Sequence, residues 1–221
     1  THMIGNDAFQ EADIVGITRP CTKHNYLIKD VEKLETTVNS AFFIAKNGRP
    51  GPVLVDIPKD IQTFKTRYEG KNKAGKFTYY RPKVKPNQSS ISKMLEMIKQ
   101  SKKPIFYVGG GVINSGKLAS KKLRSLIKMT GFPCTQTLMG LGAFPTSDNQ
   151  FLGMLGMHGT YEANLAMNKS DLIICVGARF DDRITGKVSG FSPKSKKIHI
   201  DIDPSSFNKS INVDLTVQGD I

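Results

Sequence analysis

The stretch "PIFYVGGGVINSGKLASKKLRSLIKMTGFPCTQTL", residues 104–138, decides the fold. A short apolar run, "PIFYV", stops at Gly109, Gly110 and Gly111. "GKLASKKLRSLIKMTG" then reads as an amphipathic helix closed by glycine, and "PCTQTL" as a second strand. A strand, a helix and a strand in so short a span form the unit from which parallel sheets are built. The pattern repeats on both sides. "SSISKMLEMIKQS" is a helix before it. "TYEANLAMNKS" is a helix after it, "DLIICVGA" and "KIHIDID" are strands, and "INVDLTVQGD" holds one more short strand. The expectation is an α/β fold with a doubly wound parallel sheet and helices on both faces. Such sheets bind ligands beyond the carboxyl ends of their strands.

Toward the N-terminus, residues 65–87 change character. They are polar, carry Lys and Gly, and end in prolines, so they read as a linker with a mobile loop at its centre. Residues 88–221 then form the sheet domain and residues 1–64 belong to another α/β domain. In that first segment "DAFQEADIVGIT" suggests a short helix and a turn toward a strand. "VEKLETTVNSAFFIAKNG" is a helix, with Val31, Leu34, Val38, Ala41, Phe42 and Ala45 recurring at threes and fours. Asp30 is its N-cap and Gly48 its stop. "GRPGPVLVDIPKDIQ", residues 48–62, clamps a strand between prolines and delivers Asp56, Lys59 and Asp60 to one place.

Lysine and arginine exceed aspartate and glutamate by 32 − 19 = +13 in 221 residues. A charge of this sign suits nucleic acid. The lysines are scattered, however, and there is no RNA-binding sheet signature, zinc spacing or basic heptad, so nucleic acid is not the expected partner. A lysine-rich solvated surface accounts for the charge, as does a missing remainder that balances it. Cys21, Cys134 and Cys175 are far apart and unpaired by any metal-ligand spacing, which fits a reducing compartment; Cys175 sits in an apolar run as a core hydrophobe. No run approaches the roughly 18 residues of a membrane span, so no membrane is expected. No signal peptide opens the chain. It begins Thr1-His2, as an excised piece would, or a start at Met3 behind a cloning scar.

Each strand end in residues 88–221 carries residues suited to a nucleotide. They are Gly109, Gly110 and Gly111; Thr137, Leu138, Met139 and Gly140; Gly177, Ala178 and Arg179; Asp201 and Asp203; and Gly219 with Asp220. Glycine admits close backbone approach to a phosphate, carboxylates bind ribose hydroxyls, and arginine offers a fork to a diphosphate. Alone, each has a plainer reading. The triple glycine is a tight turn, and its "GGGVINSG" has Asn114 where a third fingerprint glycine belongs. Asp201 is a strand cap. Five in series favour a nucleotide-containing ligand.

Two further strings stand out. In "GMLGMHGT", residues 153–160, glycines alternate with soft side chains in a loop that enters a helix. Met154, Leu155 and Met157 are either core or a bed for a flat aromatic ring such as an isoalloxazine; His158 is a ligand contact or a structural histidine. In "GARFDDRITGK", residues 177–187, Arg179, Asp181, Asp182 and Arg183 form either a self-neutralising loop or one arginine for a cofactor and another, Arg183, for an anionic substrate.

"MIGNDAFQEADIVGITRPCTKHNYLI", "GRPGPVLVDIPKDIQ", "YVGGG", "LMGLGAFP", "FLGMLGMHGTYEANLAM", "GARFDDRITGK" and "HIDIDP" followed by "QGD" resemble, in order and over almost the whole chain, the large catalytic subunits of the acetolactate (acetohydroxyacid) synthase family. Pyruvate oxidase and glyoxylate carboligase share the layout but match these strings less closely. The resemblance implies a three-domain enzyme whose outer domains bind thiamine diphosphate and Mg2+ and whose Rossmann-like middle domain binds FAD. Residues 1–64 would be the end of the first, pyrimidine-binding domain and 88–221 the middle domain. The enzyme joins a two-carbon fragment of pyruvate to a second 2-oxo acid, pyruvate or 2-oxobutyrate, in branched-chain amino-acid synthesis. It implies a cytoplasmic or organellar homo-oligomer with a regulatory small subunit. It also implies roles for residues. Arg49, Gly109, Gly110, Gly111, Thr137, Leu138, His158, Gly159, Thr160, Gly177, Ala178, Arg179, Asp181, Asp201, Ile202, Asp203, Gly219 and Asp220 would hold FAD, whose role is structural. Phe9, Gln10, Lys59 and Met157 would line the substrate channel, and Arg183 would hold the second substrate's carboxylate. The family's catalytic glutamate and its metal and diphosphate motif match nothing in this chain, which by itself is expected to be inactive. Another thiamine-diphosphate carboligase or decarboxylase, or a non-catalytic nucleotide-binding module, stays open as an alternative.

Overall fold

The structure, a computed structural model, describes residues 1–9, 11–68, 70 and 80–221. Gln10 and the centre of the expected linker, residues 71–79, lie outside the described residues. The chain forms two compact units, Thr1–Pro82 and Lys83–Ile221.

In the first unit, helix α1 (Ile14–Thr18) leads to strand β1 (His24–Leu27), helix α2 (Leu34–Lys46), strand β2 (Val53–Asp56) and helix α3 (Lys59–Thr63). Strands β1 and β2 pair in parallel, with His24 opposite Val53 and Leu27 opposite Asp56. The helix expected in "DAFQEADIVGIT" begins only after Asp13, whose carboxylate accepts the Gly16 N–H. The described residues before it are turns, because the Glu11 carboxylate takes the N–H groups of Gly5 and Ala8 and Asp7 has φ +52°. Asp30 caps as expected, but its Oδ1 accepts the Glu32 N–H of a 3-10 turn, Val31–Lys33, that runs on into α2.

The second unit runs α4 (Gln88–Gln100), β3 (Pro104–Val108), α5 (Gly110–Asn114), α6 (Lys117–Thr130), β4 (Cys134–Gln136), β5 (Phe151–Met154), α7 (Tyr161–Lys169), β6 (Leu172–Val176), α8 (Asp182–Thr185), β7 (Lys196–Asp201) and β8 (Leu215–Gln218). Its six strands are all parallel, in the order β5-β4-β3-β6-β7-β8. The chain winds outward from β3 to β5, then returns past β3 and winds the other way. The switch point therefore lies between β3 and β6, the central pair, every residue of which is buried. Alternation along β3 separates two cores. Phe106 and Val108 pack with Val112, Leu123 and Ile127, and Ile91 and Met94 of α4 close that side. Ile105 and Tyr107 pack with Leu155, Ile173 and Met167 of α7. Helices on both faces exclude water from both, which is why β3 and β6 read as unbroken apolar runs.

Three elements differ from the sequence reading. Strand β5 occupies part of a string read as loop, because Gly153, at φ +95°, interrupts the alternation and the pairing with β4 shifts register there. Helices α5 and α8 are single turns inside stretches read as loops.

Candidate functional site

The carboxyl ends of β3 and β6 open the crevice that such a strand order creates. The glycines there do not simply line it. A Cβ on Gly109 would stand 2.3 Å from the Gly177 carbonyl oxygen, and one on Gly111 would stand 2.7 Å from Gly177 Cα. The Gly109 and Gly111 N–H groups donate to the carbonyls of Val176 and Gly177, each at 2.9 Å. Gly177 itself sits at φ +59°. The glycines let two strand-end loops pack backbone against backbone, which fixes the floor of the crevice.

One loop carries Arg179. Its carbonyl accepts the Tyr107 hydroxyl at 3.2 Å, and the Ala178 carbonyl accepts His199 Nε2–H at 2.8 Å and the Cys175 thiol at 3.2 Å. Tyr107, Cys175 and His199 are fully buried on adjacent strands. Donation through Nε2 leaves His199 Nδ1 as an acceptor, and it has no hydrogen-bond partner among the described residues. Phe180 and Phe207 stand edge-on to the ring. Burial pushes the imidazole below its ordinary value; the Asp201 carboxylate, 3.9 Å away, and the Ala178 carbonyl pull the other way. The ring is thus a neutral fixed donor that holds the loop. Beyond it Arg179 pairs with Asp181 at 3.4 Å.

A second pair of loops meets beside it. The Met157 N–H donates to the Arg183 carbonyl at 3.0 Å, and a Cβ on Gly156 (φ +106°) would stand 2.7 Å from that same oxygen. Met157 and Arg183, separated by 25 residues in sequence, are therefore adjacent. Asn164 holds the Met157 loop in shape: its Oδ1 accepts the Gly156 N–H and its Nδ2 donates to the Gly156 carbonyl, both at 3.1 Å. Thr160 caps α7 and also bonds the Leu152 carbonyl. The Gly159 N–H donates to Gly156, so His158 lies in the tight turn between them. Asp181 caps α8 through the Arg183 N–H, while among the described residues the Arg183 guanidinium meets only the exposed Asp182 carboxylate, at 3.9 Å. An exposed pair of this kind is weak.

Thr137 caps the turn Leu138–Gly140 through the Gly140 N–H. This leaves Leu138 (69%) and Met139 (75%) exposed at the end of β4, as Met157 (66%) is after β5. Exposed large apolar side chains of this kind mark a surface for a ligand or another part of a protein. At the other end of the sheet, Asp201 Oδ1 accepts the Asp203 N–H; Asp203 in turn caps a short turn through Ser205, and Ile202 lies between them. The Gly219 N–H donates to the Asp201 carbonyl. Asp220 bonds the Ser115 hydroxyl at 2.6 Å, and a Cβ on Gly177 would stand 2.6 Å from Ile221 Cδ1. The segment after β8 thus returns to the switch point.

Arg49, Lys59 and Phe9 belong to the first unit and are exposed; Gln10 is outside the described residues. Lys23 sets the turn that bears Arg49: its Nζ donates to the carbonyls of Ile44, Asn47 and Arg49, and Tyr80 adds a bond to Asn47 at 2.7 Å. Lys59 opens α3 directly after Pro58.

Tyr107, Asn164, His199 and Lys23 escaped the sequence reading. None left a sign in the sequence: His199 shares the phase of Lys197 and Asp201 in "KIHIDID", which reads as the polar one, and only the fold buries it. Among the described residues no group of three His, Cys, Asp or Glu is placed to hold a metal ion, and no helix is long and apolar enough to cross a membrane.

Residues 91–221 match the family described as thiamine pyrophosphate enzyme, central domain. The chain is 47% identical, over 99% of its length, to the "Acetolactate synthase large subunit" of Haemophilus influenzae and to "Acetolactate synthase, chloroplastic" of Arabidopsis thaliana, covering 38% and 32% of those proteins. It is 43% identical over its whole length to the "Acetolactate synthase isozyme 3 large subunit" of Escherichia coli, of which it covers 38%. The chain thus spans about a third of the length of the relatives it matches.

Proposed function

The chain belongs to the thiamine pyrophosphate enzymes, through their central domain, and from that premise we propose that it is the flavin-carrying part of an acetolactate synthase catalytic subunit. The chief support is the switch point, where the β3 and β6 loops interlock, Arg179 follows β6, and Leu138 and Met139 after β4 and Met157 after β5 are exposed. That set fits FAD. Arginine suits its diphosphate, and the apolar side chains suit its rings. FAD supplies a rigid aromatic filling for the crevice and no electrons, because joining the two-carbon part of one 2-oxo acid to another with loss of CO2 is redox-neutral.

Arg183 is the residue for the acceptor's carboxylate. Its only ion-pair partner among the described residues is the exposed Asp182, so it can turn to an anion at small cost. Its neighbour Met157 offers a soft wall for the acceptor's alkyl group. Thiamine diphosphate and Mg2+ serve the whole protein, which works as a homo-oligomer with a regulatory small subunit.

The test uses the full-length protein with thiamine diphosphate, Mg2+, FAD and pyruvate. Acetolactate should form. Arg183→Gln should lower acceptor use roughly ten- to a hundred-fold, the loss of one charge-assisted bond of about 1.5–3 kcal/mol, and keep the flavin. Arg179→Ala should release flavin. No acetolactate from the unmodified protein would refute the activity; flavin loss with Arg183→Gln, acceptor use intact, would mean the two arginines are exchanged.

A further inference from the structure

Away from the crevice, α6 carries Lys117, Lys121, Arg124 and Lys128 at a spacing of four, three and four, which sets them in one row. The row forms a wall of an open groove of about 690 Å3, with Ile113 and Pro145 among the other lining residues. Arg124 is fixed in it: Nε donates to the Ala143 carbonyl and Nη2 to the Gly142 carbonyl, both at 2.9 Å. Lys128 meets Asp148 at 3.8 Å. Among the described residues Lys117 and Lys121 have no acidic partner. Next to the row, and away from the core face of Ala119, Leu123 and Ile127, Leu118 (65%) and Met129 (81%) are exposed.

We propose that this face docks an acidic amphipathic helix of a partner polypeptide. Length and composition choose the occupant. From Lys117 to Lys128 the row runs roughly 16 Å along the helix, about three turns, longer than a triphosphate and matched by carboxylates at the same spacing on a second helix. Leu118 and Met129, on the flank of the row with Lys122 and Ser125 between them, suit apolar side chains near the two ends of such a helix. Among the described residues no aromatic side chain lines the groove to stack on bases, which disfavours nucleic acid.

The probe is a labelled helical peptide with glutamates spaced four, three and four and leucines on the adjacent face, titrated into the full-length protein by fluorescence anisotropy. It should bind, more weakly as salt rises. Lys117→Glu with Lys121→Glu should weaken it about tenfold or more, since two attractions become repulsions. Leu118→Ser with Met129→Ser should weaken it severalfold, and a glutamine version of the peptide should not bind. All four substituted positions are exposed, and circular dichroism confirms that the variants fold. Unchanged peptide binding by the folded Lys117→Glu, Lys121→Glu variant overturns the proposal. So does tighter binding of single-stranded DNA or inorganic triphosphate at the same row.

Discussion

Gly177→Ala tests whether the crevice floor depends on backbone contact between the β3 and β6 loops. Two costs add. At φ +59° an L-residue pays about 1–2 kcal/mol for left-handed backbone. The new Cβ would also stand 2.6 Å from Ile221 Cδ1 and 2.8 Å from Gly111 Cα. The isoleucine can turn aside, but the Gly111 backbone is held by its 2.9 Å bond to Gly177 and cannot. Overpacking of this kind costs about 1–3 kcal/mol, so the sum is about 2–5 kcal/mol. Three controls separate the terms. Gly111→Ala brings a Cβ to 2.7 Å from Gly177 Cα without a left-handed penalty and should cost only the overpacking share. Gly131→Ala, at φ +71° with nothing within 4 Å, should cost about 1–2 kcal/mol. Gly190→Ala, unstrained and open, should stay within about 0.5 kcal/mol of the parent. Urea unfolding followed by far-UV circular dichroism gives the ranking. A Gly177→Ala loss no larger than that of Gly131→Ala would refute the close-contact argument.

Burial depresses the pKa of His199, so the unfolded chain binds its proton first as pH falls. Stability from this group is therefore complete above the unfolded value, about 6.5, and lost as pH drops through the folded one. The urea midpoint should fall from pH 7 toward pH 5, and His199→Gln should flatten that part of the profile relative to the parent. Cys134 is buried with its pKa pushed up to about 12, burial also raises that of Cys175, and Cys21 is exposed. Native labelling with a thiol reagent at pH 8 should modify Cys21 alone, as mass spectrometry of the digested protein will show. Asn164→Ala removes both side-chain bonds to Gly156 and should destabilise by about 1–3 kcal/mol; in the full-length protein it should also lower retained flavin, read from visible absorbance.

The doubly wound fold was legible because its signals are local. Apolar strands buried on both faces give unbroken runs such as "LIICV", and α6 shows its buried face at Ala119, Leu123 and Ile127. Where local signals conflict, the reading failed. Gly153 broke the pattern of β5, and Glu11 folded the start of the first segment into turns. The strand-end residues stood out in the sequence as a set, since phosphate, ribose and carboxylate chemistry restricts the residue types. Their supports were not found. Tyr107, Asn164 and His199 look ordinary until the fold places a carbonyl against each.

Sequence by itself determined the element types, the two-faced burial of the sheet and the chemical kinds of residue at its edge. Those depend on spacing along the chain, which periodicity and turn chemistry express directly. Tertiary structure alone decided that the chain winds both ways from β3, that Gly111 and Gly177 meet, and that Met157 and Arg183 stand side by side. Strand order follows from which crossovers bury the most apolar surface without strain. That sum runs over contacts between residues remote in sequence, so no single stretch contains it.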